Sequence, residues 1–250
     1  MLKNKKRNKI AIVLACRLFS KRLFAKPLQL VGDYTVLELL IKQIKKSKII
    51  DEIVLAISEG IGHELFVNFA KKEKIKYVIG NETDVLGRLI KGAKHVKANI
   101  VVRTTSENPF VFWEGMDELI LEHIKGNYDL SSHYRLPLGS GLEVINLDAL
   151  ERSHKQGNSR HRSEYCTLFI NENPEKFKIH RLKSEKSLQR PEIRLTVDTP
   201  QDLWVARTIY DELGKNGKPI PLKKIIKFLD VNPKIKKINS DVTVKYVRYM

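Results

Sequence analysis

Cysteine is scarce in this sequence: among 250 residues, only Cys16 and Cys166 carry a thiol. Two thiols cannot build the disulfide framework of a small secreted domain, and no His/Cys cluster has the spacing of a zinc site. Long apolar runs are also absent. The run at residues 10–15 ends before Arg17, so it is too short to cross a bilayer, and no small-residue cleavage site follows it. These absences predict a cytoplasmic protein that does not insert into a membrane.

The motifs of several common active sites are missing as well. No G-x-x-x-x-G-K-[ST] loop is present, and no G-x-G-x-x-G follows a strand; Gly60-Ile61-Gly62 lacks the third glycine and indicates a turn. No Ser-His-Asp or Cys-His arrangement can be argued from the sequence. The sequence therefore gives no support for a P-loop NTPase, a dinucleotide-dependent oxidoreductase or a hydrolase with a nucleophilic triad.

Acidic residues are few relative to basic residues. The chain has 46 Lys and Arg residues against 29 Asp and Glu, which gives a formal net charge of +17. Such a balance is found in proteins that bind nucleic acid or other polyanions, but also in proteins whose helix faces are covered with solvated lysine. The 32 lysines are spread along the whole chain, and only residues 3–9 form a basic cluster. We therefore favour a solvated surface over nucleic-acid binding, and we expect residues 1–8 to be a basic tail.

The apolar residues alternate between two periods along most of the chain. Short aliphatic runs predict buried strands, and runs with apolar residues at helical spacing predict the helices between them. The predicted strands are residues 10–15, 51–58, 76–79, 99–104 and 195–197, and the predicted helices are a segment capped by Asp33 and residues 64–74, 84–95, 116–124, 148–154 and 200–213. This order predicts an α/β protein with a mostly parallel, Rossmann-like sheet and helices on both faces.

One interval departs from that alternation. Between residues 125 and 190 the strands are short and a glycine-rich turn occurs at residues 139–141. We interpret residues 9–250 as a single domain in which residues 125–190 form an inserted arm for substrate or for a second subunit.

Two polar segments follow buried strands and contain groups that bind phosphate or metal. Arg17, Ser20, Arg22 and Lys26 follow the first strand, and Asp198 follows residues 195–197. Ligands of open α/β sheets bind beyond the carboxyl ends of the strands, where these cations could hold phosphate oxygens. The alternative is an ordinary surface loop with solvated cations.

At this point the sequence resembles a known family. Residues 15–26 fit the pattern A-R-x-x-S-x-R-L-x-x-K, residues 80–88 fit G-x-x-x-D-V-L-x-R, and residues 195–200 read L-T-V-D-T-P. These segments are similar to those of cytidylyltransferases, and in particular to the branch named for spore coat polysaccharide biosynthesis protein F. That branch is related to acylneuraminate and 3-deoxy-manno-octulosonate cytidylyltransferases. The resemblance runs from about residue 9 to the last helix and implies the nucleotide-diphospho-sugar transferase type of sheet.

The resemblance also implies an activity. A member of this family would transfer a nucleoside monophosphate, from CTP, to an acidic sugar or related acceptor for surface glycan biosynthesis, and would release pyrophosphate. It would use Mg²⁺ as cofactor and form a homodimer through the arm.

The family motifs assign roles to individual residues. The implied catalytic residues are Arg17, Lys26 and Asp198. The implied nucleotide contacts are Arg17, Ser20, Arg22, Lys26, Asp84 and Arg88. The implied metal ligands are Glu107 and Asp198, and the implied acceptor contact is Glu143. Asp84 and Arg88 have alternative interpretations, as a helix N-cap and as a cation on a solvated helix face.

The sequence departs from the family pattern in the first loop. Phe19 stands where the family usually has Gly, and Phe24-Ala25 where it has Pro-Gly. Glycine allows positive φ and close approach of the backbone to phosphate, so these changes bear directly on the loop. Two other functions remain open. One is a non-catalytic cationic binder that retains the fold, and the other is a nucleotide-sugar glycosyltransferase, although no acid-x-acid metal motif is evident.

Overall fold

The computed structural model describes residues 7–242, so most of the predicted basic tail of residues 1–8 lies outside the described residues. Within this range the chain forms nine strands. In chain order they are β1 (Ile10–Cys16), β2 (Leu30–Val31), β3 (Tyr34–Thr35), β4 (Glu52–Ser58), β5 (Lys76–Gly80), β6 (Ile100–Arg103), β7 (Leu130–His133), β8 (Glu143–Asn146) and β9 (Ile179–Leu182).

Ten α-helices and three short 3-10 helices accompany these strands in the described range. The α-helices are α1 (Val36–Ile44), α2 (His63–Glu73), α3 (Val85–His95), α4 (Met116–Gly126), α5 (Leu147–Gln156), α6 (Ser159–Arg162), α7 (Leu168–Glu172), α8 (Pro200–Leu213), α9 (Leu222–Val231) and α10 (Pro233–Lys237). The 3-10 helices are Lys26–Leu28, Trp113–Gly115 and Lys186–Leu188. Across residues 7–242, none of these helices has the length and apolar content that crossing a bilayer requires.

Seven strands form one sheet in the order β5-β4-β1-β6-β8-β7-β9. The four strands β5, β4, β1 and β6 are parallel; β8 runs antiparallel to both β6 and β7, and β9 is parallel to β7. The predicted mostly parallel sheet is therefore confirmed. Strands β7, β8 and β9 come from residues 125–190, so this interval is joined to the sheet edge by backbone hydrogen bonds. Its role in binding substrate or a second subunit stays a prediction.

Every residue of β1 is apolar, so both faces of the sheet need to be covered by other apolar side chains. Alternate side chains of a strand point to opposite faces. Ile12 and Leu14 pack into one cluster with Leu37 of α1, whereas Val13 belongs to a second cluster that includes Leu89 of α3. The predicted helices on both faces are thus confirmed. Helix α1 begins later than predicted, because its N-cap is Thr35 and not Asp33: the Thr35 hydroxyl accepts from the Glu38 amide, and the Glu38 carboxylate accepts from the Thr35 amide.

The prediction of a sheet strand at residues 195–197 is wrong. This segment is extended, but it bonds to loops: the Leu195 amide donates to the Leu138 carbonyl at 2.7 Å, and the Val197 amide to the Glu107 carbonyl at 3.0 Å. Strand β6 already has β1 and β8 as neighbours, so it offers no free edge at this point. The segment instead packs with α8 and α9 in a third apolar cluster beside the sheet.

Gly139 is required where that segment passes the 136–142 loop. Its φ is +92°, and a Cβ built on it would lie 2.4 Å from the Thr196 backbone nitrogen. Backbone atoms cannot move aside as the end of a flexible side chain can. The loop therefore depends on glycine at this position.

We expect Gly139→Ala to lower the free energy of unfolding by about 2–4 kcal/mol, through overpacking and left-handed strain. Gly141 is the matched control, because within residues 7–242 no atom lies within 4 Å of its built Cβ and its φ is not positive. Gly141→Ala should change stability by less than about 0.5 kcal/mol. Urea unfolding followed by circular dichroism measures both, and equal effects of the two substitutions would contradict this account.

Candidate active site

The loop after β1 keeps a backbone conformation that normally requires glycine. Ala25 has φ 48° and ψ 41°, in the left-handed region, and its amide donates to the Leu18 carbonyl at 3.0 Å. This closes the loop and places Lys26 at the start of the Lys26–Leu28 helix, where its side chain is buried. Ala25 thus adopts a glycine-like conformation in spite of its side chain.

The two phenylalanines of the loop lie on its outside. Phe19 and Phe24 are 52% and 55% exposed, and their rings pack edge to face with centroids 5.7 Å apart. They do not line the cleft described below. The loop therefore accommodates both rings without filling the space beyond β1.

Asp198 is the centre of a cluster of cations. Its Oδ1 accepts from Lys26 Nζ at 2.7 Å, and its Oδ2 lies 3.3 Å from Arg22 and 3.1 Å from Arg194. Burial raises the pKa of the Asp198 carboxyl, but the hydrogen bond and charge of Lys26 and the two guanidinium groups outweigh it, so the pKa is lowered overall. Asp198 is therefore a carboxylate near neutral pH, and it joins the first loop to the C-terminal segment.

A second carboxylate holds Asp198 in place. Asp202, whose side chain is fully buried, accepts two hydrogen bonds from Arg194 and one from the Asp198 amide at 3.0 Å. It also forms a capping box with Thr199 at the start of α8. Neither Asp202 nor Arg194 was singled out from the sequence, although the T-x-x-D spacing at residues 199–202 is a readable N-cap signal.

A cleft of about 590 Å³ opens beyond the carboxyl end of β1. The predicted site residues that line it are Arg17, Ser20, Lys26, Arg88 and Glu107, and Arg103 and Glu164 line it as well. Asp198 and Arg22 join this group through the Lys26 ion pair. The fold thus brings together most of the residues that the sequence selected, although their individual roles stay predictions.

Asp84 is engaged elsewhere. Its side chain accepts from the Gly87 amide at 2.8 Å as the N-cap of α3, and its other oxygen lies 2.7 Å from His154 Nε2. The N-cap interpretation accounts for these contacts, and Asp84 does not line the cleft. A nucleotide contact by Asp84 stays a prediction.

Arg88 is a buried cation without a salt-bridge partner in the described part of the chain. It is 2% exposed, and it forms no salt bridge with any residue of the described range. The hydrogen bond that its side chain makes there is long, 3.4 Å, from Nη1 to the Glu82 carbonyl, and its Nε has no hydrogen-bond partner. Burial accordingly lowers the pKa of the Arg88 guanidinium. The alternative interpretation of Arg88 as a solvated helix-face cation does not fit this burial.

A second cleft adjoins the first and shares Arg103, Thr104 and Thr105 with it. Glu143 lines it, with one carboxylate oxygen on Arg103 and the other accepting from Thr167 Oγ1 at 2.8 Å. His133 lines it too. It is 5% exposed, neither of its ring nitrogens has a hydrogen-bond partner in the described part of the chain, and burial lowers its pKa to about 4.

Glu107 and Asp198 are the two predicted metal ligands, and their role stays a prediction. Glu107 and Asp198 come from neighbouring segments, because the Val197 amide donates to the Glu107 carbonyl. Among residues 7–242 no group of three His, Cys, Asp or Glu side chains forms a ready-made site. Mg²⁺ usually takes only one or two protein carboxylates and completes its shell with phosphate oxygens and water. The donor set fits a magnesium ion that arrives with a polyphosphate.

Comparison with known proteins places this chain in a family. The family model described as Cytidylyltransferase matches residues 10–238. The chain therefore belongs to the cytidylyltransferase family, and the predicted family, fold class and enzyme class are confirmed.

Individual proteins resemble the chain over nearly its whole length. The uncharacterized protein MJ1063 of Methanocaldococcus jannaschii is 36% identical over 242 residues, which is 96% of this chain and 98% of that protein. The spore coat polysaccharide biosynthesis protein SpsF of Bacillus subtilis is 28% identical over 231 residues, 90% of this chain and 96% of SpsF. A solved cytidylyltransferase structure from Leptospira borgpetersenii has a TM-score of 0.85 at 22% identity, and the match covers 96% of this chain and 100% of that one.

Replacing Ala25 with Gly tests the strain in the first loop. The substitution removes a buried methyl group and adds backbone freedom, which destabilises, but it also relieves a left-handed Ala, worth about 1–2 kcal/mol. Ala98 is the control, because it is also buried and its φ is not positive. We expect Ala98→Gly to be less stable than Ala25→Gly by about 1–2 kcal/mol in chemical unfolding. Equal losses would show that Ala25 is unstrained.

His133 should make stability depend on pH. Because its pKa in the folded protein, about 4, is below the ordinary value of 6.5, the unfolded chain binds more protons between these two values. The contribution of His133 is therefore complete above pH 6.5 and is lost as the pH falls toward 4, by about 1.4 kcal/mol per pH unit. His133→Gln should reduce this slope. Identical slopes in urea titrations of His133→Gln and the wild type would refute the assignment.

Proposed function

We propose that this cytidylyltransferase binds CTP in the cleft beyond β1 and transfers CMP to a hydroxyl group of an acidic sugar or related acceptor, with release of pyrophosphate, for surface glycan synthesis. The observation that carries the proposal is Arg88, a buried guanidinium that lines the cleft without a salt-bridge partner among the described residues. Membership of the family supports the nucleotide, and the similarity to the spore coat polysaccharide biosynthesis protein SpsF supports the glycan pathway.

Arg88 supports an anionic ligand because a buried charge without a partner is costly. An isolated ion loses its hydration in the protein interior, and the loss is recovered only when an opposite charge and hydrogen bonds replace water. In the described range no carboxylate forms a salt bridge with Arg88, and the charge of Glu82 offsets the effect of burial only in part, because the pKa of Arg88 is lowered overall. A triphosphate in the cleft would supply both the negative charge and several acceptor oxygens.

Arg17 and Lys26 are placed to exchange partners. Arg17 lies 3.2 Å from Glu164 in a pair in which both side chains are about half exposed, and such pairs contribute little to stability. Lys26 is held by Asp198 within the cluster of cations. We expect both cations to move onto phosphate oxygens when the nucleotide binds, while Ser20 lines the same wall of the cleft.

The reaction itself is a displacement at the α-phosphorus. A bond forms between the acceptor oxygen and this phosphorus, the bond from the phosphorus to the bridging oxygen of the β-phosphate breaks, and the hydroxyl proton passes to solvent water. Negative charge builds up on the leaving pyrophosphate, so cations fixed in the cleft lower the barrier by electrostatic stabilisation. Arg17, Lys26 and Arg88 supply such charges here.

The proposed Mg²⁺ site consists of Glu107 and Asp198, whose segments are joined by a backbone hydrogen bond. A bound magnesium ion would neutralise part of the phosphate charge and orient the triphosphate. Asp198 is ionised, as a magnesium ligand must be. Lys26 and Arg22, which now neutralise Asp198, would become available to phosphate.

The proposed compartment and the proposed oligomeric state rest on other observations. Both cysteines are free and buried, which is in keeping with a reducing cytoplasm. A homodimer through residues 125–190 is supported by the resemblance to the family.

Arg88→Gln tests the nucleotide site. Loss of a charged contact should weaken CTP binding by roughly tenfold to a hundredfold, the equivalent of about 1.5–3 kcal/mol, while stability should stay equal or rise because an uncompensated buried charge is removed. Arg207→Gln, at an exposed arginine on α8, is the matched control and should bind CTP as the wild type does. Titration calorimetry with CTP, UTP, ATP and GTP in the presence of Mg²⁺, together with thermal unfolding, measures these effects.

The same preparation tests turnover. Pyrophosphate release by the wild type should require CTP, Mg²⁺ and one compound from pools of sugar acids and sugar phosphates. If calorimetry detects no binding of any nucleotide, the proposed function is wrong. Salt-sensitive binding of any polyanion, without preference for a nucleotide, would instead favour a non-catalytic cationic binder.

A further inference from the structure

The outer side of the C-terminal helices carries many exposed lysines. Helix α9 buries its aliphatic residues in the third apolar cluster, so its lysines point away from the protein. Helix α10 follows α9 after one residue, and Ile235 packs against the same cluster. We use the name basic surface for the exposed lysines of these two helices and of residues 183–186. They are Lys183, Lys186, Lys223, Lys224, Lys227, Lys234 and Lys237.

The carboxylates beside these lysines are already neutralised. Glu185 lies 3.0 Å from Lys223, and Asp230 makes two bonds with Arg190, at 2.6 and 2.7 Å. These contacts also join residues 183–192 to α9, so the lysines of both segments share one side of the protein. The remaining lysines of the basic surface form no salt bridge with any residue of the described range. They are Lys183, Lys186, Lys224, Lys227, Lys234 and Lys237.

Two exposed aliphatic side chains lie among these lysines. Val231, the last residue of α9, is 68% exposed, and Ile238, just after α10, is 40% exposed. Residues three, four or seven positions apart lie on the same face of a helix, so Val231 shares a face with Lys224 and Lys227. A surface that combines lysines with exposed aliphatic side chains is typical of protein segments that lie in the plane of a membrane interface.

We propose that the basic surface docks on an anionic lipid bilayer. The lysines contact the negatively charged headgroups, and Val231 and Ile238 enter the boundary between the headgroups and the acyl chains. Such a contact is peripheral and needs no helix that crosses the bilayer. It is independent of the nucleotidyl transfer proposed above.

The side-chain chemistry favours lipid over nucleic acid. Sites for nucleic acid use the bidentate guanidinium of arginine and aromatic rings that stack on bases. On this surface Arg190 is occupied by Glu192 and Asp230, and Phe228, the aromatic residue of α9, packs against the third apolar cluster. Lysine is a compact point charge, which is sufficient for attraction to the diffuse negative potential of a bilayer. Aliphatic side chains gain free energy from leaving water for acyl chains, whereas a nucleic acid offers them little apolar surface.

The basic surface is poorly suited to a second copy of the chain. A symmetric dimer places the same patch of both subunits face to face, so the lysines of one would meet those of the other. The competing explanation is that these lysines are simply solvated. In that case Val231 and Ile238 have no function, and binding to vesicles should be absent.

Vesicle flotation with the full chain tests the charge. One set of vesicles contains phosphatidylcholine alone, and the other contains about one third phosphatidylglycerol. We expect binding only to the anionic set, and weaker binding when salt rises from about 0.1 M to about 0.5 M, because salt screens exposed charges. Lys224→Gln combined with Lys227→Gln should weaken binding by about tenfold or more. The matched control is Lys46→Gln combined with Lys71→Gln, which removes the same charge from exposed positions elsewhere and should change binding by less than about twofold.

A second pair of variants tests the aliphatic contact. Val231→Ser should weaken binding to anionic vesicles by about threefold to tenfold, because less apolar surface leaves water. Leu121→Ser is the control, since Leu121 is also exposed, at 56%, but lies on α4. All the substituted side chains are exposed, and thermal unfolding followed by circular dichroism checks that each variant remains folded.

Three results with vesicles would overturn the proposal: no binding to the anionic set at low salt, equal losses in the two lysine pairs, or unchanged binding in Val231→Ser. Titration with poly(U) tests the alternative partner. If this RNA binds more tightly than the anionic vesicles and the Lys224/Lys227 variant weakens that binding, nucleic acid is the partner and the proposal is wrong. Weaker RNA binding that Val231→Ser leaves unchanged supports the bilayer.

Discussion

The organisation of the active-site region depends on one buried carboxylate, Asp202. It neutralises Arg194, caps α8 through Thr199 and accepts from the Asp198 amide. Through these bonds it sets the position of Asp198, which in turn holds Lys26 and Arg22 of the first loop. Two segments more than 170 residues apart are thus joined through a short chain of ion pairs. A buried carboxylate is stable only with such partners, so the network and the fold of this region form together.

The contrast between compensated and uncompensated cations distinguishes the two clefts. Arg194 and Arg103 have carboxylate partners within the protein, and they hold the walls of the site. Arg88 has none among the described residues, so its charge remains available to a ligand. Net charge alone would not have revealed this difference, since most of the cations that make up the value of +17 lie elsewhere on the chain.

Much of this arrangement could be predicted from the sequence, because it depends on local patterns. The apolar period identified β1 and the helices beside it, and the polar residues after β1 identified the loop. The extended segment at residues 195–197 was read as a sheet strand, since β propensity does not show whether a strand edge is free. The N-cap role of Asp84 was readable, but its contact with His154, 70 positions away, was not.

Arg88 lies on the apolar face of α3 with Val85 and Leu89, a signal of burial that the sequence contained. The isolation of His133 depends on the packing of distant segments, which no local pattern encodes.

The pairing of Arg103 with Glu143 also has a consequence for folding. These residues are opposite each other in the antiparallel pairing of β6 with β8, so the ion pair marks the register of the two strands. A slip by one residue would move each side chain to the other face of the sheet and separate the buried Arg103 from its carboxylate partner, at a cost of several kcal/mol. The ion pair that lines the second cleft therefore selects against misaligned strands. A chain that reaches the correct register has, by that step, already formed part of the wall of that cleft.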